Sequence, residues 1–153
     1  MTDLTPTYRH LVEQARSLLS GQAHRIANAA NLSALIFNEL ADLNWAGFYF
    51  LEGENLVVGP FQGKPACVLI PLGKGVCGTA AASRQTQRVA DVHAFEGHIA
   101  CDAASRSEIV VPLVGTAGVI GVLDIDSPLP DRFSAADQAG IEALARVYLA
   151  SLG

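Results

Sequence analysis

Apolar residues first recur at helical spacing. Thr5-Pro6 reads as an N-cap followed by proline at the first helical position. Tyr8, Leu11, Val12, Ala15, Leu18 and Leu19 then keep one face before Gly21 ends the pattern. A second helix is expected from about His24 to Leu43, carrying Ile26, Ala30, Leu35, Ile36, Leu40 and Leu43. From Trp45 the pattern becomes aromatic and extended. Trp45–Leu51, a turn at Glu52-Gly53-Glu54 and Asn55–Phe61 predict a β-hairpin. A third strand is expected at Ala66–Leu72, a short helix at Gly75–Ser83 and a brief strand near Gln87–Ala90. Asp91–Arg106 reads as a loop. Glu108–Val114 and Val119–Ile125 predict a second hairpin across Gly115-Thr116-Ala117-Gly118. Ser134 with Asp137 three residues later predicts a capping box, with Asp in place of Glu or Gln, opening a helix to about Leu152. The order ααβββαβββα implies an α+β domain, an antiparallel sheet covered by helices.

With 153 residues, half of them apolar, the chain is long enough for one self-sufficient core. Its two helices over about 7–43, sheet and loops over about 45–127 and last helix over about 134–152 are expected to form one domain. No apolar stretch approaches the ~20 residues that span a bilayer, so no membrane partner is expected. Fifteen acidic residues against ten basic ones give a net charge of −5, and Lys and Arg are scattered. Nucleic-acid binders rely on clustered Lys and Arg, which disfavours that class. The first ten residues show no signal-peptide pattern, and the three cysteines cannot all pair within one chain. Reduced thiols in the cytoplasm are the expectation.

Candidate chemistry lies in cysteines and carboxylates. Nine and then 23 residues separate Cys67, Cys77 and Cys101, matching neither a CxxC motif nor paired zinc ligands. Cys67, heading an apolar strand, and Cys77, among glycines and alanines, can each be packing residues. Cys101 lies in a polar loop beside Asp102, three residues after His98, where packing demands no thiol. His98, Cys101, Cys67 and Cys77 could alternatively form a Cys3His zinc site. Alternation in Val119–Asp126 puts Asp124 and Asp126 on one strand face with Ile120 and Val122. They form either a solvated strand end or a carboxylate pair at a pocket mouth. Like charges and partial burial would raise one pKa there and leave an acid able to donate a proton. Across a hairpin centred near Thr116-Ala117, Glu108 is expected roughly opposite residue 125. Three acids without an arginine cluster would suit a cationic group such as a ligand amine. Trp45 and Tyr49 share a strand face, as core residues or as an aromatic wall. The glycines at 73, 75 and 78 fit no phosphate-loop pattern.

The chain resembles the GAF-domain family over nearly its whole length, and within it the free methionine-(R)-sulfoxide reductases. The blocks that carry the resemblance are Asn44-Trp45-Ala46-Gly47-Phe48-Tyr49, Gly59-Pro60-Phe61-Gln62-Gly63 and Gly73-Lys74-Gly75-Val76-Cys77-Gly78. Ala100-Cys101-Asp102, Ser107–Pro112 and Gly121–Ser127 complete the set. The last two blocks are shared with many GAF sensors, whereas the three cysteines in context, with WAGFY and GPFQGK, point to the reductases. The resemblance implies that Cys101 is the nucleophile and Cys67 the main resolving cysteine, with Cys77 secondary. It implies that Trp45 and Tyr49 hold the methyl-sulfinyl end of free methionine (R)-sulfoxide, while Glu108, Asp124 and Asp126 bind its amine and polarise the sulfoxide. It further implies a homodimer without metal or organic cofactor, recycled by thioredoxin. The competing expectation is a stand-alone GAF sensor with redox-responsive cysteines, although 153 residues leave no room for an output domain.

Overall fold

The helices that open at Pro6, Arg25 and Ala135 each begin behind a residue whose side chain caps them, whereas the helix Gly75–Ser83 has no side-chain cap. The computed structural model of the protein describes residues 3–99 and 101–153, so Ala100 of the Ala100-Cys101-Asp102 block lies outside the described residues. Helix α1 (Pro6–Leu19) starts behind Thr5, whose hydroxyl accepts the Tyr8 N–H, and buries Tyr8, Leu11, Val12, Ala15 and Leu19. Helix α2 (Arg25–Glu39) starts behind His24, whose Nδ1 accepts the Ala27 N–H at 3.3 Å. It ends four residues before the expected Leu43, because Leu40 is extended and Asp42 sits in the left-handed region at φ 62°. Leu40 and Leu43 still pack against the core. Their spacing reflected burial rather than helix.

Six strands follow: β1 (Trp45–Glu52), β2 (Asn55–Gly63), β3 (Leu69–Pro71), β4 (Gln87–Val89), β5 (Ser107–Gly115) and β6 (Gly118–Ser127). They pair antiparallel throughout in the order β3-β2-β1-β6-β5-β4. Helix α3 (Gly75–Ser83) joins β3 to β4, and among the described residues a single 3-10 turn (Val92–Ala94) is the regular piece of the loop before β5. The third strand is shorter than the expected Ala66–Leu72. Val58 donates to the Val68 carbonyl at 3.0 Å, so Cys67 falls just outside the ladder. Helix α4 (Ala135–Ser151) opens with the expected capping box: Asp137 N–H donates to Ser134 Oγ at 3.1 Å, and Ser134 N–H donates to Asp137 Oδ2 at 2.8 Å.

Side-chain alternation divides the sheet into two faces. Ala46, Phe48, Phe50, Ile109, Val111, Leu113, Leu123 and Ile125 point toward α1, α2 and α4 and form the larger core. Trp45, Tyr49, Val110 and Val122 point the other way and pack with Val76, Cys77, Ala80 and Ala81 of α3. Two bulges set this parity. Leu113 pairs with Gly121 but Val114 with Val119, leaving Ile120 as an extra residue in β6. Ile120 therefore packs on the helix side, not on the acid face as its spacing suggested. The same bulge places Glu108 opposite Asp126 rather than opposite residue 125. In the first hairpin Gly47 pairs with Phe61 while Tyr49 pairs with Val58, so β2 carries the extra residue. Among the described residues no helix is long and apolar enough to cross a membrane.

Candidate active site

Three strands place the candidate groups in two adjacent rows on the α3 side of the sheet. Trp45 of β1 pairs with Asp126 of β6, which pairs with Glu108 of β5. In the next row Gly47 pairs with Asp124, which pairs with Val110. Directly opposed residues on one face have Cβ atoms only ~4.5–5.5 Å apart, so the register alone crowds the three acids. Gly47 is required at its place: a Cβ there would overlap the Cβ of Phe61. Phe61 instead stacks on Trp45 at 5.0 Å between centroids, and Tyr49 stacks on Trp45 at 5.7 Å. The Trp45 indole N–H donates to the Lys64 carbonyl at 3.1 Å, which fixes the ring that walls the cavity.

Helix α3 and two loops close the space over these strands. Gly75, at φ 63°, turns the chain into α3 beneath Ile99, and Cys77 follows within the first turn. The cavity is lined by Trp45, Tyr49, Ile70, Cys77, His98, Cys101, Asp102, Ser105, Glu108, Asp124 and Asp126, among others. About 40 Å³ of it admits the centre of a water molecule, room for roughly three waters at ~10–15 Å³ each. Cys101 is joined to Cys67 by a disulfide with a Cα–Cα distance of 5.4 Å, within the ordinary range for such bonds. The bond ties the loop before β5 to the segment between β2 and β3. Cys67 is thus half-buried, packed against the smaller core as its strand position allowed, and bonded as well. In this oxidised form the Cys3His zinc grouping is not available, since two of its sulfurs are bonded to each other. Cys77 remains a free thiol, its Sγ 4.0 Å from Glu108 Oε2.

A short hydrogen-bond relay connects the Cys101 loop to the acids. Asn44 Nδ2 donates to Asp102 Oδ2 and to Ser105 Oγ, each at 3.0 Å. Ser105 Oγ in turn donates to Asp126 Oδ2 at 3.2 Å. Asp102 Oδ1 accepts the Ala104 N–H at 2.9 Å and so shapes the turn behind Cys101. Ser105 carried no signal in the sequence, and Asn44 and Phe61 stood there within the blocks of the resemblance, with no role at the site assigned. Phe61 reaches Trp45 only through the β2 bulge, and Ser105 sits in a loop without periodicity.

The electrostatics are those of an acid cluster in which burial and mutual repulsion disfavour the charged form of Asp124 and Asp126. Glu108 and Asp124 are buried at 7% and 5% exposure, and among the described residues no Lys or Arg lines the cavity. Burial first, then the neighbouring Asp126 and Glu108 charges, push the Asp124 carboxyl well above the usual range. Burial and the Glu108 charge do the same to Asp126. Burial and the surrounding acids also raise the Cys77 thiol well above its ordinary value. Asp124 Oδ1 and Asp126 Oδ1 are buried without a hydrogen-bond partner. Buried acceptors left unpaired cost ~1–3 kcal/mol each, and an ammonium group offers three donors to satisfy them. A raised carboxyl keeps its proton to higher pH than a free one, the direction that a general acid requires.

The GAF domain family matches residues 26–149. The chain is 56% identical to the free methionine-R-sulfoxide reductase of Escherichia coli over 140 residues, 92% of this chain and 85% of that one. Its fold superposes on fRMsr of Staphylococcus aureus, solved in complex with substrate, with a TM-score of 0.92 and 53% identity, covering 99% of this chain and all of that one. A protein from Burkholderia vietnamiensis proposed to be a GAF sensor is 66% identical with a TM-score of 0.91, covering 94% of this chain and 91% of that one. The match to the reductases extends over nearly the whole chain, including the strands, helix and loops that build the cavity, and the chain belongs to the GAF-domain family and, within it, to the free methionine-R-sulfoxide reductases.

Proposed function

We propose that the protein reduces free L-methionine (R)-S-oxide to L-methionine. The observation that carries this reading is the Cys67–Cys101 disulfide at a cavity floored by three acids, two of them with unpartnered carboxylate oxygens. In the reduced protein the Cys101 thiolate attacks the sulfoxide sulfur while the acid cluster gives a proton to its oxygen. Methionine leaves, and Cys101 is left as a sulfenic acid. The Cys67 thiol then condenses with it, releasing water and forming the bond seen here. In sum one sulfoxide and two thiols become one sulfide, one disulfide and one water. Thioredoxin reduces the disulfide by thiol exchange, and no metal or organic cofactor takes part. Trp45 and Tyr49 hold the methyl-sulfinyl end, and Glu108, Asp124 and Asp126 take the amine. Cys77 is a secondary resolving thiol, disfavoured because burial among acids suppresses its thiolate. The whole chain acts as one GAF domain, as a homodimer in the cytoplasm.

The test is methionine formation with dithiothreitol and each sulfoxide diastereomer. Turnover is expected on the free R form, with little on the S form or on N-acetylated substrate. Equal rates on free and N-acetylated sulfoxide would contradict amine recognition by the acids. The 66% identity to a proposed sensor favours a second reading, a redox sensor without turnover, and the same assay decides it: absence of methionine with reversible disulfide formation would mean a sensor.

A further inference from the structure

We propose that Cys77, Glu108 and Asp124 form a binding site for a borderline or soft divalent cation, of the Zn²⁺ and Cd²⁺ class, that occludes the cavity. One ligand atom from each lies within 4.8 Å of the other two, and all three residues are buried. Ligand atoms on a tetrahedral ion with bonds of about 2.0–2.3 Å sit about 3.5 Å apart, so side-chain adjustments of under about 1 Å close the site. An independent observation points the same way. Asp124 is 95% buried by its 5% exposure, yet its Oδ1 has no partner, so it can accept a metal bond without giving up a hydrogen bond. The cavity leaves room for one or two waters to complete the shell. A thiolate with two carboxylates selects zinc or cadmium over magnesium or calcium, whose preferred ligands are oxygens alone. Binding replaces the Cys77 thiol proton, and any proton on the ligating carboxyls, by the cation and releases these protons to solvent.

Cys77 lies apart from the disulfide, so the metal site persists in oxidised and reduced protein alike. In the oxidised protein Cys77 is the one free thiol of the three cysteines, which makes the experiment clean. Titrating oxidised, tag-free protein with Cd²⁺ should produce the ultraviolet thiolate-to-cadmium charge-transfer band with one-to-one stoichiometry. The band should be absent in Cys77→Ser, unaffected by millimolar Mg²⁺ or Ca²⁺, and at least tenfold weaker in affinity in Asp124→Asn, with circular dichroism reporting that both variants fold. The reduced Cys67→Ser, Cys101→Ser double variant should give the same band, which covers an oxidised cavity closed to the ion. Absence of the band in both preparations, or its persistence in Cys77→Ser, overturns the proposal. A second arm rests on the reductase reading: Zn²⁺ should inhibit methionine formation competitively with the sulfoxide. Failure of the protein to turn over would sink the reductase reading while leaving the cadmium band intact. A band without competition would separate the metal site from the substrate site and overturn the occlusion.

Discussion

In the helix layer, Asp137 of α4 meets every partner it needs: the Ser134 N–H and hydroxyl, the Tyr8 hydroxyl at 2.7 Å and Arg132 Nη1 at 3.2 Å. Across the sheet, Asp124 and Asp126 share their space with Glu108, and each keeps an unpartnered oxygen. Burial raises both kinds of carboxyl, but at Asp137 the hydrogen bonds from Ser134 and Tyr8, with Arg132, outweigh it and hold the group low. At Asp124 and Asp126 nothing cationic outweighs it, and both stand high. The same residue type thus stabilises the fold on one side and is held in an uncompensated state on the other. That second state costs stability unless a ligand resolves it, which is the pattern expected of a functional site.

Neutralising the acids should separate the two regions most sharply. Asp126→Asn and Glu108→Gln are expected to lower turnover on free methionine (R)-sulfoxide by ~10²–10⁴-fold. The thermal midpoint should hold or rise, because removing one of several like charges relieves repulsion. A midpoint that fell together with activity would make these residues structural. The converse belongs to Asp137. Asp137→Ala should cost about 1–2 kcal/mol in denaturant unfolding, through the lost capping box and the Tyr8 and Arg132 bonds, and should leave turnover per folded molecule unchanged. A selective loss of turnover there would erase the distinction.

The pH dependence of stability should differ in sign between the two. A carboxyl held low in the folded state, Asp137, contributes stability above its unfolded value of about 4, lost as pH falls through the folded pKa. Carboxyls held high, Asp124 and Asp126, favour folding below about pH 4 and lose that contribution as pH rises through their folded pKa values. Relative to wild type, Asp124→Asn should therefore gain stability with rising pH, and Asp137→Asn should lose it. Parallel curves for the two variants, measured by thermal melts from about pH 3 to pH 8, would contradict the assignment.

Much of this contrast was legible in the residues. Alternation placed Asp124 and Asp126 on one face, and Ser134 with Asp137 predicted the capping box that the structure contains. The α+β order of ten elements also follows from the periodicity alone. Register was the blind spot. An extra residue in a strand flips every following side chain to the other face, and neither Ile120 nor the Gly59-Pro60 stretch announces its bulge. The pairing of Glu108 with Asp126 and the stacking of Phe61 on Trp45 were hidden for that reason. Loop partners were hidden for another. Asn44 and Ser105 are 61 residues apart and meet only because the sheet brings their strand ends together. Leu40 and Leu43 misled in the opposite direction, being buried and half-buried against the core without being helical.

The central claim is that Cys101 attacks the sulfoxide and Cys67 resolves the product. It is tested most directly in a single turnover, with fully reduced protein and free L-methionine (R)-S-oxide and no external reductant. Wild type should form about one methionine per subunit, lose two thiols and yield the Cys67–Cys101 peptide pair in mass spectrometry without reduction. Cys67→Ser should give the same burst and then stall with thioredoxin, unless Cys77 substitutes, because attack precedes resolution. Cys101→Ser should form no methionine, since serine is a poor nucleophile toward sulfur at neutral pH. A stoichiometric burst from Cys101→Ser, or unimpaired thioredoxin-driven turnover in a Cys67→Ser, Cys77→Ser double variant, would contradict the account.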